Sequence, residues 1–481
     1  MTEQYRITRR RFLTRTSAGL GVAALASLLP SPPVLRGRGA GGEGVSVPGA
    51  LGHSHFEPKA KNVIFLFMGG GPSHVDTFDP KPLLIRHHNE EMPQSILGEQ
   101  RVTLMTRNQG HRKAAATPFR FRKVGQAGHD MSDLWQHLPE VADELTFIRS
   151  LHTEPINHDP AVTLMQTGRP EAGLPAMGSW LSYGLGSENR DLPAFIVMMS
   201  GSFDQPITSR YFTSGFLPSQ HQGVHFQAAG DPVFYLTNPP GISNEARGEL
   251  VEGINDLNRL RRRQIGDPEI DTRINAFELA FRMQTSVPDL MNLQDEPQSV
   301  IDRYGPDVAN PATFARQCLL ARRLVERGVR FVQLFHRGWD AHNAVIAGLR
   351  RQVRDVDQPI AALIRDLKTR GLLDSTLVIW GGEFGRTAFG QGDLSGEFGR
   401  DHHPRCFTYW LAGGGIKPGL TIGATDDFGY NIADRPIHVN DLHATILHCL
   451  GVDHLRLTYR HAGRDFRLTD LAGEVVPEVL A

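Results

Sequence analysis

The sequence predicts a layered α/β fold built around a mostly parallel central sheet. Three observations point there. Short unbroken apolar runs recur along the chain, as in strands covered on both faces. Helical stripes separate several of them, giving the strand–helix–strand alternation of right-handed crossovers. Polar clusters rich in Gly, Asp and His flank the runs, where open α/β sheets bind their ligands.

The predicted strands cover residues 62–68, 145–150, 194–199, 329–335, 376–380 and 407–412. Phe314, Cys318, Leu319 and Leu324 mark a helix over 313–327. A longer stripe runs through Val345, Leu349, Val353, Val356, Ile360, Leu363 and Leu367, predicting a helix over 344–370 with a kink at Pro359. A shorter helix is expected over 441–450, with Asn440 as its N-cap. Residues 245–300 are polar, Arg-rich and helical in pattern, and read as a helical insertion on the surface. A single large α/β domain over 61–475 accommodates all of this within 481 residues.

The first residues read as an address. Thr8-Arg9-Arg10-Arg11-Phe12-Leu13 precedes a short apolar stretch over 18–29 and a small-residue cleavage site at Ala24-Leu25-Ala26. The pattern resembles a twin-arginine signal peptide over 1–26. It implies export by the twin-arginine machinery to the periplasm or beyond. The apolar stretch is too short for a stable membrane span, which needs about 20 residues. Residues 27–60, rich in Gly, Pro and Ser, are expected to form a flexible linker.

Composition excludes some functions. Apolar residues make up 40% and charged residues 21%, as in ordinary soluble domains. A net charge of −1 creates no general attraction for nucleic acid or anionic lipid. The three cysteines, Cys318, Cys406 and Cys449, have no zinc or redox spacing and read as buried apolar residues. Histidine stands out, with 21 residues.

Five clusters carry candidate chemistry. Gly69-Gly70-Gly71-Pro72-Ser73-His74-Val75-Asp76 follows the first strand, and Asp76 offers a hard oxygen ligand; Asp79 reads as a cap before Pro80. His158 opens a helix that ends at Gly168, where it could hold a metal or an anionic group. Asp340 and His342 sit two apart in a loop after a strand and can share one ion. Glu383 follows the strand over 376–380, with Arg386 three residues on. In Gly399-Arg400-Asp401-His402-His403-Pro404, His402 is the first candidate and His403 the alternate. His87, His88, His221, His225, His443 and His448 lack such settings and read as surface or satisfied core imidazoles.

These motifs resemble one family. G-G-G-P-S-H-V-D-T-F-D-P-K-P, G-W-D-A-H, G-G-E-F-G-R-T, G-R-D-H-H-P and A-G-G-G-I-K-P-G-L-T-I-G-A-T-D run in order over residues 60–455. They are similar to the exported family known as domain of unknown function 1501, grouped with the alkaline phosphatase/sulfatase superfamily. The resemblance implies a three-layer alkaline-phosphatase-like sandwich, one or two divalent metals held by Asp and His, and cleavage of phosphate or sulfate esters. It implies metal ligation by Asp76, Asp340, His342, Glu383 and His402, with His403 in reserve. Zinc, manganese or iron suits such ligands better than calcium. Arg386 or Arg400 would clamp the anionic ester, which could be a glycan or a phosphoester.

One departure bears on mechanism. Where sulfatases carry C-x-P-S-R, this chain reads His158-Asp159-Pro160-Ala161-Val162, so a formylglycine nucleophile is excluded there. Water activated by a metal could attack, with Thr163 and Ser73 as outside candidates; alternatively His158 is a ligand. The competing expectation is an exported binding or assembly protein that keeps the fold without the chemistry.

Overall fold

The computed structural model describes residues 47–202, 207–228, 231–233, 236–267 and 269–481. The expected signal peptide over 1–26 and the linker residues up to 46 lie outside these. Residues 47–60 of the expected linker are tied to the domain by backbone hydrogen bonds. Val47–Pro48 pairs antiparallel with Gly186–Ser187. The backbone N–H groups of His55 and Phe56 donate to the Gly451 carbonyl, and those of Lys59 and Ala60 to the Cys449 carbonyl. Composition suggested slack, but the backbone polar groups named above are paired with the rest of the domain.

Two compact units divide the chain, one of residues 45–234 and 285–481, the other including 235–284. In the larger unit the strands that build the central sheet and the site beside it are, in chain order, β1 (Asn62–Gly69), β2 (Leu145–His152), β3 (Phe195–Gly201), β4 (Val224–His225), β5 (Phe331–Arg337), β6 (Thr376–Gly381), β7 (Gly385–Arg386), β8 (His402–His403), β9 (Phe407–Ala412), β10 (Thr421–Ile422) and β11 (Ile437–His438). The α-helices of seven or more residues are α1 (His158–Thr167), α2 (Met177–Leu185), α3 (Asn244–Ile265), α4 (Glu269–Met291), α5 (Gln298–Tyr304), α6 (Phe314–Glu326), α7 (Val345–Thr369) and α8 (Val439–Cys449). Of these, α3 and most of α4 make up the smaller unit, close to the expected insertion.

The nine-stranded sheet runs β10-β2-β9-β6-β1-β5-β3-β4, with β11 also paired to β2. Every pairing is parallel except the two made by β9. All eight residues of β1 are buried, so the apolar run Val63–Met68 packs on both faces. On one face Phe65, Phe67, Phe335, Ile379 and Leu411 join Ala161, Met165, Trp180, Leu442 and Ile446 from α1, α2 and α8. Helix α6 covers the other face and packs against α7. Each fully buried large apolar side chain contributes roughly 1.5–3 kcal/mol, which makes this double-sided core the main source of stability. The arrangement is a mixed α/β fold with helices on both faces of a mostly parallel sheet.

As the stripe predicted, Pro359 lies inside α7, which runs to Thr369. One local expectation differs in detail. The N-cap of α8 is His438, not Asn440. Its ring accepts the Asn440 N–H, and the Asp441 carboxylate accepts the His438 N–H at 2.8 Å, a capping box.

Because β1, β5 and β6 are adjacent and parallel, the loops after them emerge along one edge. β2 points the same way, since β9 lies antiparallel between it and β6. The N-terminal end of β9 therefore opens on that edge too, and it carries the His402 loop there.

Candidate metal centre

Four side chains from three separate loops meet at this edge: His158, Asp340, His342 and His402. One donor atom from each lies within 4.8 Å of all the others, close enough to serve one ion. His158 is the first residue of α1, Asp340 and His342 follow β5, and His402 lies in β8. His158 Nε2 stands 3.2 Å from Asp340 Oδ2. His342 Nε2 and His402 Nε2 stand 3.0 and 3.4 Å from Asp340 Oδ1. Asp340 is the most open member, at 28% side-chain exposure, against 6% for His402. The cluster is walled on one side and accessible on the other.

Glycines allow the loops to close in. Gly70, at φ +118°, lies so near the chain after β5 that a Cβ would fall 2.3 Å from Asp340 N. At Gly399 a Cβ would fall 1.7 Å from the His342 carbonyl oxygen. Either position would have to push the Asp340–His342 loop away to hold any larger residue.

Each imidazole is held by its far nitrogen. His158 Nδ1 donates to Glu383 Oε1 at 2.6 Å, His342 Nδ1 to Gln391 Oε1 at 2.9 Å, and His402 Nδ1 to the Ile156 carbonyl at 2.7 Å. These acceptors fix the proton on Nδ1 and turn the Nε2 lone pairs inward, as acceptors behind metal-ligating histidines do. The consequence is sharpest for His342 and His402, whose Nε2 atoms face each other at 3.0 Å. Two lone pairs at that distance repel unless a cation lies between them. His158 Nε2 is likewise turned inward, 3.2 Å from Asp340 Oδ2. The donor set of three imidazoles and one carboxylate therefore fits a divalent cation.

Electrostatics follow from this geometry. Burial alone would lower the His158 pKa, but hydrogen bonds to Asp340 and Glu383, with the charge of both, push it up to about 9. Burial would raise Asp340, yet the three imidazoles and the Arg386 guanidinium hold it well below the usual carboxylate range. Burial lowers His402 to about 4 despite its contact with Asp340.

The other expected site residues stand elsewhere. Glu383 is fully buried behind His158, where its two oxygens also accept the Gly70 N–H at 3.0 and 3.1 Å. It orients an imidazole and lies outside the group of four. Asp76 is not with the group either: its carboxylate is forked by Arg400 at 2.7 and 3.1 Å and accepts from Ser73 Oγ at 2.6 Å. Arg400 is fully buried, and its remaining donors go to the carbonyls of Thr387, Ala388 and Ala115. Arg386 is also fully buried, donating to the carbonyls of Gly70, Gly71 and Arg400 and to Asp340 Oδ1 at 2.7 Å. Both guanidinium groups expected to clamp an anion thus have their donors engaged inside the protein, Arg386 against Asp340 and Arg400 against Asp76. His403 points away from His402, as alternate strand residues do, and donates from Nε2 to the Tyr430 carbonyl at 2.7 Å. Burial pushes it down to about 3.

Neither hydroxyl candidate is free. Ser73 is bound to Asp76, and Thr163 Oγ1 donates to the Asp159 carbonyl at 2.6 Å. Sequence reasoning missed Gln391 and Phe384 as parts of the centre. Phe384 stacks on His402 at 4.5 Å between ring centres and lies 5.0 Å from His158, forming a dry wall. Gln391 had no signal beyond its place between two glycines.

Such a centre on a layered α/β sheet defines the class to which comparison can be made. The chain matches the family described as protein of unknown function (DUF1501) over residues 60–480, and it belongs to that family. None of the curated proteins matches it. Among solved structures it is similar to an alkaline phosphatase from the Antarctic bacterium TAB5, at 11% identity and a TM-score of 0.33, covering 82% of this chain and 98% of that one. It is also similar to an alkaline phosphatase superfamily protein from Vibrio parahaemolyticus (12%, 0.34, covering 85% and 69%) and to BT1596, a 2-O GAG sulfatase (10%, 0.33, covering 88% and 74%). Likenesses this distant say nothing of activity. Among the described residues no helix is long and apolar enough to cross a membrane.

Proposed function

We propose that this chain is a metal-dependent hydrolase of phosphate or sulfate esters, exported by the twin-arginine route and using water rather than a side chain as nucleophile. One observation carries the reading: three imidazoles, each anchored through Nδ1, turn Nε2 toward a single point that also faces the one open carboxylate, Asp340. The ordered sequence motifs supply the ester chemistry by resemblance. A divalent cation there lowers the pKa of water toward about 7 and stabilises developing negative charge. His158, Asp340, His342 and His402 would hold it. Zinc, manganese or iron suits this nitrogen-rich set, whereas calcium prefers oxygen ligands throughout. Glu383 and Gln391 keep two of the rings in one tautomer, and Phe384 keeps water from their flank. The occupied hydroxyls of Ser73 and Thr163 favour water over a covalent route. Asp76 is neutralised by Arg400, which argues for a single ion.

Elemental analysis of the purified protein should give about one divalent ion per chain. His402→Ala should lose both that ion and turnover on a panel of sulfate and phosphate esters. Full turnover in metal-free protein would reject the proposal. A second reading, a binding or assembly protein, draws on the burial of Arg386 and Arg400, which leaves no arginine clamp from the expected set. Metal-dependent turnover abolished by His158→Ala would end it; stoichiometric metal with no turnover on any ester would favour it.

A further inference from the structure

Helix α3 presents two unlike faces. It begins at Ser243, whose hydroxyl accepts the Ala246 N–H, and ends at Gly266 in the left-handed region. Val251 and Asn255 are its buried residues, and Asn255 Nδ2 donates to Glu278 Oε1 of α4 at 3.2 Å. On the opposite side Leu250, Leu257 and Leu260 form an apolar stripe. Leu257 and Leu260 are each 51% exposed. Gly253 stands in the same row, with open space where a Cβ would be. An apolar row with a gap for close approach, on an otherwise polar helix, is a surface built to be covered.

The charges beside the stripe indicate what covers it. Arg259 pairs with Asp256 and Glu278, and Arg262 with Asp271. Among the described residues, exposed Glu249 and Glu252 in the first half have no such partner, nor do exposed Arg261 and Arg263 in the second. About 12 residues, or roughly 18 Å of helix, separate Glu249 from Arg261, so they cannot meet within one helix. The helix dipole favours acids only in the first turn and bases only in the last, whereas acids here recur from Glu245 to Asp256. Arg263 lies on the same flank of the stripe as Glu249 and Glu252, and a second α3 turned end for end about Leu257 would bring its Arg263 between those two acids. The two leucine stripes would then lie together. A surface complementary to itself under a twofold rotation is the requirement for an isologous contact.

We infer that α3 is a self-association surface, pairing antiparallel with α3 of a second copy of this chain. The inference is independent of the proposed ester chemistry. A single helix face is small for a stable interface, so the dimer should dissociate at concentrations on the order of micromolar.

Sedimentation velocity on the full chain should show a weight-average mass rising from monomer toward dimer with concentration. Leu257→Arg, at the twofold axis, should hold it at monomer, as should Glu249→Arg with Glu252→Arg. Adding Arg263→Glu to that pair should restore the dimer, which a merely misfolded variant would not do. A wild-type monomer at every concentration overturns the proposal. So does a dimer indifferent to the charge reversal, or a threefold swap that stays monomeric with unchanged helix content and melting temperature.

Discussion

Two buried charge clusters in this protein solve opposite problems. Between α6 and α7, Arg322 reaches Glu296 and Glu326 at 2.6 Å and Asp366 at 2.9 Å. Arg323 adds a contact to Glu296, and Arg370 contacts Asp366 and Glu326 at 2.8 Å. Three guanidinium groups face three carboxylates, so the network closes on itself. At the strand edge, by contrast, three imidazoles converge on Asp340 with their lone pairs inward, and two of them face each other at 3.0 Å. The first cluster has used its charges to hold two helices together. The second keeps its donor atoms aimed at a cation. Burial of ionisable groups therefore does not by itself mark a functional site; convergence of unsatisfied donors does.

The largest expected effect falls on the closed cluster. Arg322→Met leaves Glu296, Glu326 and Asp366 short of one partner and should cost about 3–5 kcal/mol of folding free energy. Chemical denaturation of the variant checks this, and its bound metal should equal that of the wild type. Metal loss at native temperature would break the separation between the clusters. Next comes Glu383→Gln, which keeps the shape but removes the charge behind His158. Metal affinity should fall about 10- to 100-fold, as for other groups that orient a ligand, read by competition with a chromophoric chelator. Gln391→Ala removes a neutral acceptor from His342 and should sit near the lower end of that range, about tenfold. If Gln391→Ala cost more than Glu383→Gln, charge would not be what distinguishes the two anchors.

The same contrast explains what the sequence discloses. The sheet was legible because its strands are continuous apolar runs: 407–412 matches β9 at both ends, and 62–68 falls one residue short of β1. His158, Asp340, His342 and His402 were legible as candidates because each sits at a turn beside such a run. The role of Asp76 was not. Its partner Arg400 lies 324 residues away, and a carboxylate after a glycine loop looks alike whether it awaits a metal or a guanidinium. The same holds for Arg386, whose donors end on backbone carbonyls that no side-chain pattern encodes. Loop ends are encoded locally; which loop atoms meet is set by the register of β1, β5 and β6.

The smallest effect separates the clusters by pH. Without a cation, His158 holds its extra proton up to about 9, because Asp340 and Glu383 outweigh the cost of burial. A cation requires Nε2 bare, so binding near pH 7 must expel about one proton. Affinity should then rise about tenfold per pH unit from pH 7 and level off near the His158 pKa. His402, held at about 4, is already neutral and adds nothing to this slope. In the helix network, burial would raise Glu296, but Arg322 and Arg323 hold its folded pKa below the ordinary value. Its stabilisation is complete above the unfolded carboxylate pKa and is lost only as pH falls through the folded one. Between pH 7 and 8, metal affinity should climb while that network's contribution to stability stays level. Calorimetric titration of zinc in two buffers of different ionisation enthalpy measures the released proton directly. A release near zero at pH 7 would mean that His158 does not give up its proton to the cation, leaving Asp340, His342 and His402 to hold it alone.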